Sequence, residues 1–184
     1  MVMAQFLSVK SAHMPKSSTL LYLATVFCAA AIAIALIMQY QFDMEPCPLC
    51  ITQRIFIILV GACTLIAAIF ARSSLVSRIG IGLGIVFGLI GAFTSGRHVW
   101  IQSLPEDEVP LCGPGLAYMF ETRPIFDALA LLFKGDGHCA DISMTFLGLS
   151  IPAWTLLSFA GLCTLLMFLM FRSFKNSNEG THSV

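Results

Sequence analysis

The sequence predicts an all-α membrane protein, a bundle of four transmembrane helices with a long outer loop that carries short interfacial helices. Hydrophobic residues make up 58% of the 184 residues and charged residues only 11%, a balance far from that of a soluble domain. Four apolar stretches are each long enough to span a hydrocarbon core of about 30 Å. The formal net charge is zero, so no basic excess favours nucleic acid, and we expect no such partner.

The four apolar stretches predict the helices, and the whole chain, residues 1–184, is interpreted as one membrane domain. The first stretch follows two lysines, as the apolar core of a signal peptide does. Its apolar run exceeds the usual signal core of about 7 to 15 residues, so we interpret it as a retained helix. The predicted transmembrane helices cover residues 20–38, 50–71, 79–101 and 151–171.

The basic residues near the helix ends predict the orientation of the bundle. Lys and Arg remain preferentially in the cytoplasm, and they flank the same side of all four helices at Lys10, Lys16, Arg72, Arg78, Arg172 and Lys175. Both termini are therefore expected in the cytoplasm, with the loop 102–150 on the outer side. Residues 176–184 are polar and are predicted to be a disordered tail.

The outer loop, residues 102–150, is too long to be structureless in a compact domain. Apolar residues recur in it at near-helical spacing, which predicts short helices lying on the membrane surface. A second apolar cluster is expected to hold the loop against the membrane lipid. The first set is Leu116, Met119, Phe120, Phe126, Leu129, Leu132 and Phe133, and the second is Phe146, Leu147, Leu149 and Ile151.

The third predicted helix contains glycines with small-xxx-small spacing at Gly80, Gly84 and Gly88. Such spacing lets neighbouring transmembrane helices approach closely. We therefore expect these glycines to serve helix packing.

The seven cysteines divide into two groups by position. Cys28, Cys63 and Cys163 lie inside predicted helices, where a thiol surrounded by apolar side chains behaves as a small hydrophobe. We interpret these three as packing residues. The other four cysteines lie at the outer boundary or in the outer loop.

Cys47 and Cys50 form a C-x-x-C motif at the start of the second helix, with Pro48 suited to its first turn. The unpaired N–H groups of a helix N-terminus favour an anion, so we expect a stabilised thiolate at Cys50. Arg54 lies one turn further on the same face and adds a positive charge. An arginine extending to the membrane interface is the structural alternative, although ionisable residues in spanning segments are usually functional.

The four outer cysteines leave more than one chemistry open. A Cys₄ zinc site is one alternative, but only the first pair has finger-like spacing, and Ile51 stands where haem attachment needs histidine. We predict no metal, because an oxidising outer compartment favours disulfides. Cys112 and Cys139 are compatible with a structural staple of the loop. Two dithiols on one side of the membrane can also pass electrons by thiol–disulfide exchange.

These residues resemble the DsbB family of disulfide-forming proteins of the bacterial inner membrane, and the resemblance covers nearly the whole chain. The matching features are Glu45-Pro46-Cys47-Pro48-Leu49-Cys50 followed by Gln53-Arg54, then His98, Cys112 and Cys139, and finally Phe146-Leu147-Gly148-Leu149 with Pro152 and Trp154.

The resemblance implies a quinone-dependent disulfide oxidoreductase, a thiol oxidase. It would reoxidise a periplasmic thioredoxin-like dithiol oxidase, DsbA, and pass the electrons to ubiquinone or menaquinone in the membrane. Cys112 would be attacked by the partner's thiolate, and Cys139, its leaving group, would then reduce the bridge between Cys47 and Cys50. Cys50 would face the quinone, with Arg54 and His98 binding or polarising it. Helix-end capping is the structural alternative for His98.

Two positions depart from or extend the family pattern. The family often has tryptophan where this chain has Met144, which affects how the loop is seated, and Arg97 adds a charge without an assigned role. A vitamin K epoxide reductase-like protein is the enzymatic alternative, but in that family the loop pair precedes the C-x-x-C motif. A membrane metal-binding protein is the alternative outside the enzyme class.

Overall fold

The computed structural model describes residues 16–42, 46–71, 74–105, 107–111, 130, 132–141 and 144–181. Its main elements are four helices that are long and apolar enough to cross a membrane, which confirms the predicted fold class. The helices are α1 (Lys16–Gln41), α2 (Pro48–Ile69), α3 (Ser74–Gln102) and α4 (Ile151–Thr181).

The fourth helix is longer than the sequence indicated. Helix α4 continues to Thr181, and that the polar tail of residues 176–184 is disordered stays a prediction. Extending a formed helix costs far less than nucleating one, and no proline follows Pro152 to stop the extension.

The helices pack mainly in sequential pairs, α1 with α2, α2 with α3, and α3 with α4. Within the described part of the chain, α1 and α4 make little direct contact, so the bundle is open on that side. Val60, Phe159 and Leu166 are fully buried between the helices. Large apolar side chains such as Val26 and Phe93 face outward, as expected of surfaces solvated by lipid.

The glycines of α3 lie where neighbouring helices approach most closely, which confirms the packing prediction. A Cβ added at Gly80 would lie 3.0 Å from both the Ala67 Cβ and the Cys63 carbonyl oxygen of α2. One added at Gly91 would overlap the ring of Phe159 on α4. Gly96, by contrast, has nothing within 4 Å of that position.

The three cysteines assigned to packing are buried inside the bundle at Cys28, Cys63 and Cys163. A Cβ at Gly88 of α3 would lie 2.7 Å from the Cys163 sulfur, and one at Gly61 of α2 would lie 3.1 Å from the Cys28 Cβ. Each of these two thiols therefore fills the space opposite a glycine.

The described part of the outer loop contains a helical turn at residues 132–134, in the segment where the apolar spacing predicted a short helix. It also contains elements that the spacing did not predict, a 3-10 helix (Gly137–Cys139) and a hairpin of β1 (Thr145–Phe146) and β2 (Leu149–Ser150). Leu147 and Gly148 form the hairpin turn with φ of 52° and 79°, the positive values typical of a type I′ turn. The interfacial helices predicted before residue 130 lie outside the described residues.

The hairpin leads directly into α4 and is tied to its first turn. The Trp154 indole N–H donates to the Phe146 carbonyl at 2.9 Å, and the two rings are 6.2 Å apart. Phe146 and Leu147 are exposed. That the apolar cluster contacts lipid stays a prediction.

Candidate active site

The first turn of α2 brings two thiols together. Cys47 is the N-cap residue, Pro48 occupies the first turn as predicted, and the Cys50 N–H donates to the Cys47 sulfur at 3.4 Å. The two sulfurs are 3.0 Å apart, and both cysteines are free thiols in the structure. A small movement is sufficient to form the disulfide that the C-x-x-C motif predicts.

His98 reaches this pair from α3. Its side chain is only 2% exposed, and its Nε2 lies 3.8 Å from the Cys47 sulfur. Its Nδ1 lies 3.2 Å from the Gln53 side-chain amide, which fixes the orientation of the ring. The imidazole therefore contacts the pair of thiols, and the geometry does not support the alternative role of helix-end capping.

Two hydrogen bonds attach the loop segment at residues 132–134 to helices α2 and α3. The Thr52 hydroxyl donates to the Leu132 carbonyl at 2.7 Å, and Arg97 Nε donates to the Lys134 carbonyl at 2.9 Å. Arg97, for which the sequence suggested no role, thus holds the loop segment that precedes Cys139.

Gly135 completes this attachment by packing directly against the bundle. Its φ is +74°, and a Cβ at this position would lie 2.8 Å from Leu49 and 3.1 Å from Ile101. Both of these side chains are fully buried. Only glycine combines this backbone conformation with such a close approach.

The attached segment delivers Cys139 to the start of α2. The pKa of its thiol is lowered to about 7, because the Cys47 thiol donates to its sulfur and the Leu49 N–H adds a second donation, while burial opposes the shift. The pKa of Cys47 is raised, because its proton is engaged by Cys139 and Cys50 and because it is buried. When Cys139 is a thiol, it donates instead to the buried Asp136 carboxylate at 3.8 Å.

A cavity of about 480 Å³ adjoins the thiols on the side of α1 and α4. Cys50, Gln53, Arg54 and Ile57 line it from one face of α2, as their spacing of three and four residues requires. The Arg54 guanidinium donates to the Gln39 side chain and to the Ala35 carbonyl of α1. The arginine therefore bridges two helices inside the cavity, unlike one that extends freely to the interface.

Comparison with known proteins decides among the alternatives. The family described as "Disulfide bond formation protein DsbB" matches residues 17–169, which is most of the chain. The chain belongs to the DsbB family. It is accordingly a membrane disulfide oxidoreductase of the thiol oxidase type.

Relatives of the DsbB family match over most of their own length. The chain is 57% identical to a "Disulfide bond formation protein B" of Saccharophagus degradans over 73% of this chain and 81% of the relative. It is 49% identical to the protein of that description from Methylococcus capsulatus, over 81% of this chain and 91% of the relative. The DsbB match displaces the vitamin K epoxide reductase-like and metal-binding interpretations.

Most of the candidate site residues of this DsbB family member lie together in the structure. They meet at one end of the bundle and are Cys47, Cys50, Arg54, His98 and Cys139. Cys112, by contrast, lies outside the described residues.

Three polar residues at the site had no role assigned from the sequence. Gln53 orients His98, Gln39 holds Arg54, and Asp136 accepts from Cys139. Gln53 and Gln39 are polar residues near the outer ends of apolar segments, and this is the signal that identifies them. Asp136 has no such signal, because the outer loop contains several acids.

Proposed function

We propose that the protein reoxidises a periplasmic thioredoxin-like dithiol oxidase of the DsbA type and passes the electrons to a membrane quinone. The observation that carries the proposal is the contact of Cys139 with Cys47, next to Cys50 and the cavity. This arrangement supports a continuous path for two electrons from a loop thiol to an apolar chamber.

The relay consists of balanced thiol–disulfide exchanges. The partner's thiolate attacks Cys112, forming a mixed disulfide and releasing Cys139 as a thiolate. Cys139 attacks Cys47, so that the bond to Cys50 breaks and Cys50 leaves as a thiolate facing the cavity. The partner's second thiol resolves the mixed disulfide, so that the partner leaves with its own disulfide and Cys112 is released as a thiolate. The Cys112 thiolate then attacks Cys139, which re-forms the loop disulfide and frees Cys47, so that the two electrons rest on Cys47 and Cys50.

The contacts of Cys139 support its proposed role as the thiolate that attacks Cys47. Its sulfur lies beside Cys47, and the Leu49 N–H at the start of α2 donates to it. Attack on Cys47 therefore needs little movement of the loop, and Cys50 remains the sulfur nearer to the cavity lining.

The cavity fits a quinone head group. Its volume of about 480 Å³ is within the range of about 300 to 1,000 Å³ usual for small-molecule sites. Arg54 and His98 line it together with apolar residues of α1, and they would hold the two carbonyl oxygens. A bound quinone supplies the acceptor for two electrons and two protons.

The position of the cavity supports entry of a lipid-soluble molecule. It is lined by α1 and by the start of α4, the two helices that make little direct contact. The polar groups at its end can recognise the dicarbonyl ring that ubiquinone and menaquinone share. We therefore assign the quinone class, with either ring system acceptable.

The energetics explain why such an acceptor is needed. A structural disulfide has a reduction potential below about −300 mV, whereas the reduction potential of DsbA is about −120 mV. The gap of about 180 mV corresponds to about 8 kcal/mol for two electrons. An isolated cysteine bridge does not oxidise such a partner, so coupling to an oxidised quinone supplies the driving force.

The basic residues at the inner helix ends support an inner-membrane orientation with both termini in the cytoplasm. Arg78 and Arg172 lie at that end, and Arg78 donates to Ser173 of α4 at 3.0 Å. The redox cysteines at the opposite end would then face the periplasm, where the partner resides.

The proposal is tested by mixing the purified protein with a reduced DsbA-type partner and a soluble quinone analogue. Cys112→Ser is expected to abolish the reaction with the partner. Cys50→Ser is expected to form the mixed disulfide with the partner but to leave the quinone oxidised. Cys163→Ser, which removes a thiol buried away from the site, is the control and should retain both reactions.

Two outcomes would contradict the relay. Quinone reduction by Cys50→Ser at the wild-type rate would show that another group donates to the acceptor. Rapid partner oxidation by Cys112→Ser would show that the loop pair is not the entry point.

A further inference from the structure

We propose that the reduced protein binds one Zn²⁺ ion through Cys47, Cys50 and His98, and that this ion reversibly inhibits the oxidase. The ion is neither cofactor nor substrate of the disulfide relay. It is an inhibitor that the geometry of the reduced site admits.

The donor atoms are already gathered close to the distances that zinc requires. The two thiol sulfurs and an imidazole nitrogen of His98 all lie within 4.8 Å of one another. Two thiolates and one imidazole are a donor set that zinc prefers, and three protein ligands leave the fourth position for water.

The distances between the donor atoms can be compared with those in a tetrahedral zinc site. Zn–S bonds of about 2.3 Å and Zn–N bonds of about 2.0 Å place two sulfurs about 3.8 Å apart and a sulfur about 3.5 Å from a nitrogen. The observed separations are 3.0 Å between the sulfurs and 3.8 Å between Cys47 and His98 Nε2. The third separation, between Cys50 and His98, is within 4.8 Å, so movements of about 1 Å convert the cluster into a zinc site.

The second ring nitrogen of His98 has the hydrogen-bond partner that a metal-binding histidine needs. Its other ring nitrogen lies 3.2 Å from the Gln53 side-chain amide. With the amide oxygen turned toward the ring, Nδ1–H donates to Gln53 and the Nε2 lone pair is directed at the thiols. A histidine that binds a metal almost always has such a partner on its second nitrogen.

Redox state controls this site. In the oxidised protein, Cys47 and Cys50 share a disulfide, and the two thiolate ligands do not exist. In the reduced protein, the ion takes both thiolates as ligands and displaces their protons. Those thiolates then cannot donate electrons, so reduction of the acceptor stops until a chelator removes the ion. Inhibition is therefore strongest when the reduced form accumulates.

The binding test uses the full-length protein in detergent, without partner or quinone. Cd²⁺ replaces Zn²⁺ as the probe, because its thiolate complexes absorb in the ultraviolet, and Zn²⁺ is added in competition. We expect one ion per reduced chain and none per oxidised chain. This comparison uses a single polypeptide, so a variant that fails to fold does not affect it.

Variants then identify the ligands. Cys50→Ser and His98→Gln should each lose the stoichiometric binding. Gln53→Leu, which removes only the partner of the histidine, should weaken binding by about 10- to 100-fold. Cys163→Ser and His138→Gln should bind as the wild type does, since His138 lines the same cavity but lies outside the cluster of three.

Equal binding to the oxidised and reduced proteins would overturn the proposal, as would wild-type affinity in Cys50→Ser. Neither result bears on the electron relay, which is measured with partner and quinone in metal-free buffer. Conversely, a relay that fails in that assay leaves the metal-binding result unaffected.

Discussion

Replacing Gly135 with alanine is expected to slow electron transfer from Cys139 to Cys47 without blocking the partner's attack on Cys112. Gly135 has a φ of +74°, and an added Cβ would lie 2.8 Å from Leu49. Leu49 is fully buried and cannot move away freely. The segment that carries Cys139 must therefore shift away from the start of α2.

The matched control is Gly148→Ala at the tip of the hairpin. Gly148 has a similar φ of +79°, but nothing lies within 4 Å of its added Cβ. Both variants thus include the left-handed backbone penalty of about 1 to 2 kcal/mol. Only Gly135→Ala adds overpacking of a buried contact, which costs about 1 to 3 kcal/mol. If the loop shifts to relieve that cost, the attacking geometry becomes rarer by about 5- to 150-fold.

The assay is a single turnover with reduced partner and a quinone analogue, followed by quinone absorbance. Acid quenching and alkylation at each time point measure the mixed disulfide at Cys112. We expect the mixed disulfide of Gly135→Ala to form at the wild-type rate, while quinone reduction is delayed. Equal quinone kinetics in Gly135→Ala and Gly148→Ala would refute the assignment of Gly135 as the residue that positions Cys139.

Three further predictions concern the bundle and the cavity. Gly91→Ala should destabilise the protein by about 1 to 3 kcal/mol through overpacking, while Gly96→Ala should not, as thermal unfolding in detergent will measure. Gln39→Leu should raise the KM for quinone with little change in the partner reaction, because Arg54 loses its side-chain acceptor; an unchanged KM would contradict this. Thr52→Val removes the hydroxyl that donates to the Leu132 carbonyl, so amide hydrogen exchange in residues 132–134 should become faster. Unchanged exchange would contradict this prediction.

The fold could be predicted because each of its main signals lies within one segment. Apolar length predicted the spans, and the position of Pro48 predicted the start of α2. The spacing of Gly80, Gly84 and Gly88 predicted a close helix contact. Each of these inferences depends on residues within a single helix, so the local sequence pattern is sufficient to predict the helices and their packing.

The site required information that the local pattern does not contain. Gln53 and His98 are 45 positions apart, and their meeting depends on the rotation of α3 against α2. The sequence predicted that the start of α2 stabilises a thiolate at Cys50, but it did not indicate that the Leu49 N–H of the same turn donates to the distant Cys139. The hairpin was missed because Leu147 precedes Gly148 where a type I′ turn usually has asparagine or aspartate.

In the proposed relay, the donation from Cys47 that lowers the pKa of Cys139 makes the reactivity of Cys139 depend on the state of the Cys47–Cys50 bridge. Cys47 can donate a proton to Cys139 only while it is a thiol, since a disulfide has no proton to donate. When the bridge to Cys50 is oxidised, the Cys139 thiolate keeps the Leu49 N–H but loses this second donor. It is then less stabilised and more nucleophilic toward the bridge that it must attack.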